Sequence, residues 1–158
     1  MTSRPLTQAE TALARSVFGS AIDYGQVRLH HRKWWPFQPS RVTMAPDGDI
    51  WFHPQSDLFC TDFCAGPLHL QGHFIHEMTH VWQAQRGGKW FLPLMRHPFC
   101  RYGYEIVPGR PFRRYGLEQQ AEIVRHAFLL RQGSRVEGKP PLAVYEALLP
   151  FSGKNPMA

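Results

Sequence analysis

Apolar residues recur at helical spacing in four stretches of the chain, and these stretches predict four helices. The predicted helices run from about 8 to 18, from near Leu68 to the glycines at 87–88, from 116 to about 132 and from 141 to 149. Thr7 and Glu10 have the spacing of a capping box, which favours a helix start at residue 8. Pro141 suits the first turn of the last helix.

Alternation of apolar and polar residues predicts short strands in the first third of the chain. Residues 27–30 alternate in this way after a turn-prone segment, and residues 42–44 and 49–53 flank the turn Pro46-Asp47-Gly48 as in a β-hairpin. The predicted class is therefore α+β, with a small antiparallel sheet beside the helices. We expect the edge of strand 49–53 to accept an extended peptide as an added strand.

The length of 158 residues is typical of one domain, and 43% hydrophobic residues are enough for a sizeable core. We expect a single domain over residues 1–158, with a core of about 6–150 and a frayed tail at 152–158. No run of 18 apolar residues predicts a membrane span, and residues 1–5 lack the apolar core of a signal peptide. The protein is expected to be cytoplasmic when made, and any export would use a machine that accepts folded cargo.

The formal net charge of +6 suits an anionic partner such as nucleic acid, cell wall or lipid headgroups. The basic and aromatic residues 31–37 could stack on bases or lie at a membrane surface, or form a loop whose aromatic rings pack on the sheet. The three cysteines, Cys60, Cys64 and Cys100, exclude a fully paired disulfide framework, which favours free or buried thiols.

The most specific chemical pattern is HExxH in the second predicted helix. His76 and His80 lie one helical turn apart on the same side, so both imidazoles can bind one metal ion. Glu77 is displaced by about 100° around the axis and suits a general base that accepts a proton from the attacking water. The pattern predicts one Zn²⁺ ion and hydrolysis of a peptide or amide bond.

A catalytic zinc normally has three protein ligands, so a third is expected after His80. Glu118, on the third predicted helix, is our first choice, and Glu122 one turn later could hold the second ring N–H of a ligand histidine. Glu122 itself and His97 are the alternatives for the third ligand.

Several other side chains are candidates for lining the cleft or for polarising the substrate carbonyl. They are Tyr102, Tyr104, Arg114, Tyr115 and His126. His69 and His73 share the edge of His76 and His80 and could also line the cleft, although exposed or capping positions suit them too.

Several blocks in order resemble the Vgr-related proteins of bacteria and are similar to the metallopeptidase-like core domain found with extracellular contractile injection systems. These blocks are Val17-Phe18-Gly19, Ile22-Asp23-Tyr24, Val27-Arg28-Leu29-His30, Gly48-Asp49-Ile50-Trp51-Phe52-His53 and the run from Phe74 to Gln83. The likeness covers roughly residues 6–130. It implies a compact zincin-like domain with one zinc and an association with type VI secretion or related injection machinery. The spacing from Glu118 to Glu122 also resembles that of gluzincins, which usually have Asp at the second position.

Three functions follow as expectations. The first is a zinc metallopeptidase, an injected effector or a processing protease, whose partners are a protein or peptide substrate and a secretion spike or immunity protein. The second is a non-catalytic, zinc-stabilised adaptor that docks cargo onto the spike. The third is a nucleic-acid-associated protease resembling the SprT-like family, which would use His97 and the basic stretch 28–41.

Overall fold

The computed structural model describes residues 3–88, 92 and 101–151. The elements are strand β1 (Ser3–Pro5), helix α1 (Gln8–Phe18), strands β2 (Arg28–His30) and β3 (Ile50–Trp51), and helices α2 (Leu68–Gly87), α3 (Leu117–Arg131) and α4 (Leu142–Leu148). Short 3-10 helices cover Tyr24–Gln26, Phe63–Ala65 and Phe112–Arg114. The α+β class is confirmed, and each predicted helix is present to within a residue or two.

Helix α1 begins with the predicted capping box, in which Thr7 Oγ1 accepts from the backbone of Glu10 and Glu10 accepts from the backbone of Thr7. Glu10 has no exposed surface. Its carboxylate also accepts two 2.8 Å hydrogen bonds from Arg4 and one of 3.0 Å from the backbone of Phe63. This network joins β1, α1 and the segment before α2. Strand β1 was not predicted, because three residues ending in proline are too short to show alternation.

The sheet has the order β1-β2-β3 and is mixed, so the prediction of an antiparallel sheet is wrong for one of its two pairings. Strands β1 and β2 are antiparallel, whereas β2 and β3 are parallel, with His30 opposite Trp51. The long connection between β2 and β3 is a crossover, so that β3 runs in the same direction as β2.

The predicted hairpin is reduced to one antiparallel pair, in which Met44 and Trp51 exchange two backbone hydrogen bonds of 3.0 and 2.7 Å. Met44 therefore occupies the outer edge of β3 at Trp51. The expectation that this edge accepts a peptide strand is wrong at that residue, because its backbone donor and acceptor are already paired.

Helices α2 and α3 pack closely together, and this contact brings the chemically distinctive residues of both helices near one another. Gly72 permits the approach: a Cβ atom there would lie 3.2 Å from Leu129 Cδ2 and 3.5 Å from Arg125 Cγ. The core beneath is formed by apolar residues of both helices, the sheet and α1, and it extends to Phe151, which packs on Phe18 and Trp82.

In the described part of the chain, no helix combines the length and apolar character needed to cross a bilayer. The expected tail at 152–158 lies outside the described residues.

Candidate metal centre

Helix α2 presents His76 and His80 on the side that faces α3, and α3 presents Glu118 in its first turn. Glu118 Oε2 lies 3.2 Å from His76 Nε2 and 3.0 Å from His80 Nε2. One ligand atom from each residue lies within 4.8 Å of the others, and all three side chains are buried. Two imidazoles and one carboxylate thus converge on a single point between the two helices.

The opposite ring nitrogen of each histidine is held by a second polar side chain. His76 Nδ1 lies 3.2 Å from Glu122 Oε2, and His80 Nδ1 lies 2.8 Å from Gln83 Oε1. Because the Glu122 and Gln83 oxygens accept, each Nδ1 atom is the donor and each Nε2 atom faces Glu118. The two Nε2 atoms and the Glu118 carboxylate meet in one buried place, where a proton or a metal cation shared among them would satisfy all three.

The distances from Glu118 to the two histidines are compatible with ligands of one small metal ion. Ligand atoms at about 2.0–2.1 Å from a tetrahedral zinc lie about 3.3 Å from each other, close to the separations between Glu118 and the two histidines. The set of two imidazoles and one carboxylate also has the composition of catalytic zinc sites, which keep a fourth position for water or substrate.

Electrostatics at the cluster favour positive charge. Burial opposes protonation of His76, but its hydrogen bonds to Glu118 and Glu122, with Glu77 nearby, raise the pKa of His76 to about 9. Burial would raise the pKa of Glu122, yet contacts with His76 and Arg125 hold that pKa at about 2. Arg125 binds both oxygens of Glu122 at 2.6 and 3.1 Å, so Glu122 is an ionised acceptor fixed by two partners.

Glu77 is 4% exposed and has one carboxylate oxygen, Oε2, that is buried without a hydrogen-bond partner among the described residues. Its other oxygen lies 3.9 Å from His73 Nε2, and that nitrogen also lies 3.0 Å from Thr43 Oγ1. Burial lowers the pKa of His73. An unpartnered carboxylate oxygen in a buried position is costly, and such atoms occur at functional sites.

Of the four tyrosine and histidine candidates for the cleft, Tyr102 lies beside the cluster. The other three, Tyr104, Tyr115 and His126, form hydrogen bonds with residues outside the cluster. The ring of Tyr102 lies 6.2 Å from that of His76 and is half exposed, so it stands at the mouth of the site. The Tyr104 hydroxyl contacts His126 Nδ1 and the Tyr145 hydroxyl, each at 2.6 Å. The Tyr115 hydroxyl accepts a hydrogen bond from the backbone of Val107.

Arg114, Cys60 and Cys64 have no observed contact with the cluster among the described residues. Arg114 lies in the 3-10 helix before α3 and is exposed. His97 and Cys100 lie outside the described residues. Cys60 and Cys64 are partly buried free thiols, and burial raises the pKa of both, to about 11 for Cys64.

A wide groove adjoins the cluster along the start of α3 and continues to α4. Glu118 and Gln83 reach its wall, whereas His76, His80 and Glu77 do not line it. Most of its lining is apolar, and its rim carries exposed arginines such as Arg86 and Arg113.

Gln83 contacts the candidate metal centre and was not predicted from the sequence. Besides accepting from His80, its amide donates to the Leu117 carbonyl at 3.1 Å and to Gln120 at 2.9 Å. Its position three residues after His80 on one helix was the available signal.

These observations define an α+β domain in which one helix supplies two histidines, and its neighbour one glutamate, to a candidate metal centre. The effector domain of Pseudomonas aeruginosa VgrG2b has a similar solved structure, with a TM-score of 0.73, 36% identity, and coverage of 91% of this chain and 80% of that one. The chain belongs to the family of this effector domain.

A second comparison gives the wider context of the family. The type VI secretion system spike protein VgrG2b of Pseudomonas aeruginosa strain PAO1 is 40% identical over an alignment of 132 residues, and the match covers 80% of this chain. The match covers 13% of the spike protein, so the chain corresponds to a small part of it. No family model matches the chain. The expected resemblance to Vgr-related proteins is thereby confirmed.

Proposed function

We propose that this domain is a zinc-dependent metallopeptidase that acts as an effector linked to type VI secretion. The convergence of His76, His80 and Glu118 beside a buried, unpartnered oxygen of Glu77 carries the proposal. These groups are the parts that hydrolysis of an amide bond needs: a metal-binding set with an open position and an adjacent carboxylate. The proposal includes a zincin-like arrangement of α2 and α3, in which α2 carries the two histidine ligands and α3 the glutamate ligand.

Each residue has a distinct task in this proposal. His76, His80 and Glu118 would hold the ion, while Glu122 and Gln83 fix the tautomers of the two histidines. When bound, zinc supplies the Lewis-acid chemistry that makes water a competent nucleophile at neutral pH.

Glu77 would handle the proton. Its Oε2 has no hydrogen-bond partner among the described residues and can accept the proton that the attacking water loses. The same carboxyl group would then deliver that proton to the amine of the leaving peptide. Tyr102 is half exposed with its ring beside that of His76, and it is our candidate for a hydrogen bond to the substrate carbonyl.

The family relationship supports the cellular context. The similar solved structure is described as an effector domain, and the similar full-length protein as a type VI secretion spike. We propose that this chain is likewise delivered by such a machine, with the spike as its carrier and a peptide or protein of the recipient cell as its substrate. An immunity protein in the producing cell would be a further partner.

The test combines metal content with hydrolysis of a peptide library, both measured on the purified chain. Wild type should bind one zinc and cleave peptides, with activity lost on chelation and restored by zinc. Glu77→Gln should bind zinc normally and lose about 10²–10⁴-fold in rate, because the proton acceptor is removed while the ligands remain. Glu105→Gln, an exposed residue of the same type, is the matched control.

Two outcomes would contradict this proposal. Full zinc-dependent cleavage by Glu77→Gln would remove the assigned mechanism. Equal toxicity of wild type and Glu77→Gln on delivery, with loss only in His80→Ala, would instead favour the zinc-stabilised adaptor. The SprT-like alternative rests on His97, which lies outside the described residues, and on DNA binding by the basic stretch 28–41.

A further inference from the structure

The connection between β2 and β3 contains a loop, residues 34–42, that displays apolar side chains to solvent. We name it the aromatic loop. Trp35 is 42%, Phe37 77% and Val42 42% exposed, which places them among the most exposed large apolar side chains of the described residues. Three such side chains in nine residues form a local apolar patch, and patches of this kind mark interaction sites.

The loop backbone is held in place by Gln38, whose side chain is almost fully buried. Its Oε1 accepts from the backbone of Trp34 at 2.8 Å, and its Nε2 donates to the carbonyls of Val42 and Trp51 at 2.8 and 3.1 Å. One buried amide thus ties both ends of the loop to β3. These hydrogen bonds therefore fix the backbone from which the exposed aromatic side chains project.

The charge around the loop has a single sign. Between Asp23 and Asp47 the chain has no carboxylate and four cationic residues, which are Arg28, Arg32, Lys33 and Arg41. Asp47, at the end of this stretch, accepts from the indole N–H of Trp51 and from the backbone of Asp49. Asp49 is bound by His30 and by the backbone of Arg28. The exposed Lys33 and Arg41 therefore lie on either side of the apolar residues in the sequence, and no carboxylate between Asp23 and Asp47 offsets their positive charge.

We propose that the aromatic loop docks this domain onto a bilayer containing anionic phospholipids. Trp35, Phe37 and Val42 enter the boundary between headgroups and acyl chains, where Trp and Phe side chains are stable. Lys33 and Arg41 contact the lipid phosphates, which attract nearby cations. This proposal is independent of hydrolysis at the candidate metal centre.

The arrangement of the rings favours a lipid surface over nucleic acid. Trp35 and Phe37 meet edge to face, with centroids 5.5 Å apart and planes at 68°. Stacking platforms for bases offer open ring faces along the strand, and the valine in the patch has no face to offer. The guanidinium of Arg32 already lies over the ring of Trp51, 5.1 Å from its centroid.

Docking would also place the candidate metal centre close to the bilayer. Thr43 follows Val42 directly, and its hydroxyl lies 3.0 Å from His73 Nε2 on α2, one turn before Glu77. Peptide bonds near the membrane surface would then be within reach of the domain.

Co-sedimentation of the whole chain with vesicles tests the proposal. Vesicles of phosphatidylglycerol mixed with phosphatidylcholine should retain the protein at low salt, and vesicles of phosphatidylcholine alone should retain much less. The double variant Trp35→Ser with Phe37→Ser should bind the anionic vesicles at least about tenfold more weakly. Its matched control is Val107→Ser with Val144→Ser, which removes two side chains of 39% and 37% exposure elsewhere and should bind as wild type.

The cationic contribution is tested in the same assay. Lys33→Gln with Arg41→Gln should weaken binding by about tenfold, whereas Arg113→Gln with Arg135→Gln, which removes two exposed cations of other segments, should have a smaller effect. Thermal unfolding of every variant checks that folding is unchanged. The proposal is overturned if wild type does not sediment with anionic vesicles at low salt, or if the loop variants and the control variants lose equal affinity. It is also overturned if the loop binds single-stranded DNA and does not bind vesicles.

Discussion

Nδ1 of His80 donates a hydrogen bond of 2.8 Å to Oε1 of Gln83, one turn later on the same helix. The amide group of Gln83 is bound in turn to the Leu117 carbonyl and to Gln120, at the start of α3. Gln83 therefore fixes both the tautomer of one proposed ligand and the position of the helix that carries another.

Replacing Gln83 should weaken metal binding without abolishing it. In Gln83→Leu, His80 loses the acceptor that orients its ring, and we expect zinc affinity to fall by about 10–100-fold in a competition titration. Gln85→Leu is the matched control, since Gln85 lies on the same helix but contacts Asp23. Unchanged affinity in Gln83→Leu would show that the ring is held by other contacts.

Glu118 and Glu122 should behave differently when each is replaced by glutamine. Glu118→Gln removes the proposed ligand oxygen between the two histidines and should eliminate stoichiometric zinc binding. Glu122→Gln retains an oxygen that can accept from His76 Nδ1 but weakens the pair with Arg125, so it should still bind zinc with lower affinity. Zinc analysis after dialysis distinguishes the two. The reverse order of effects would make Glu122 the third ligand.

The close approach at Gly72 should limit the side chain that this position accepts. Gly72→Ala places a methyl group against the end of the flexible Leu129 side chain and gains helix propensity, so it should be tolerated. Gly72→Leu should push α3 away, lower stability by about 1–3 kcal/mol and reduce zinc affinity. Denaturant unfolding and zinc titration measure both effects, and Gly103→Ala, in an open position, is the control. Full zinc affinity in Gly72→Leu would contradict the assigned spacing.

The buried carboxylate of Glu10 should contribute strongly to stability and not to chemistry. Glu10→Ala removes the carboxylate partner of the Arg4 guanidinium and the acceptor of the Phe63 backbone N–H, and we expect a loss of about 3 kcal/mol. Zinc content of the folded variant should equal that of wild type. Glu137→Ala, on the surface, should change stability by less than about 0.5 kcal/mol. A similarly small effect of Glu10→Ala would show that the network is not needed.

His126 should make the protein less stable in acid. Burial, with the charge of Arg125, lowers the pKa of His126 to about 4, while an unfolded histidine has a pKa of about 6.5. The unfolded chain therefore binds this proton first. The stability from neutral His126 is complete above about pH 6.5 and is lost as the pH falls toward 4.

The effect of His126 on acid stability can be tested with a variant that has no titrating group at this position. The groups that influence His126 are Arg125, Glu122, Lys139, Tyr104 and His76. His126→Gln keeps these groups but removes the titration, so its stability should fall less between pH 6.5 and 4, by on the order of 1 kcal/mol after solvent screening. Denaturant unfolding across this range measures the difference. Parallel pH profiles for wild type and variant would exclude the effect.

The sequence predicted the helices well because their signals are local. The capping box at Thr7 and the glycines that end α1 and α2 depend only on neighbouring residues. The HExxH spacing places two imidazoles on one side of any helix that contains it. The convergence of Glu118 on His76 was a hypothesis about the packing of two helices, and the structure brings these side chains together.

Features that depend on distant pairing were harder to predict. The parallel pairing of β2 with β3 involves two residues of each strand, which is too short for any pattern to reveal direction. Gln38 and Gln83 also form hydrogen bonds to residues in other segments, and the sequence does not show which distant residues these amides reach. In the sequence, Glu10 resembles an ordinary acid in the first turn of a helix, and only the structure places Arg4 and Phe63 beside it.

The parallel pairing has a consequence for variation within the family. The chain leaves β2 at His30 and returns at Ile50, next to the strand it left, so the intervening segment begins and ends at neighbouring points of the sheet. Residues inserted or deleted there, outside the contacts of Gln38, Thr43 and Met44, need not shift either strand or disturb α2. If the aromatic loop docks the domain as proposed, related domains that differ in this segment would bind different surfaces while keeping the same candidate metal centre.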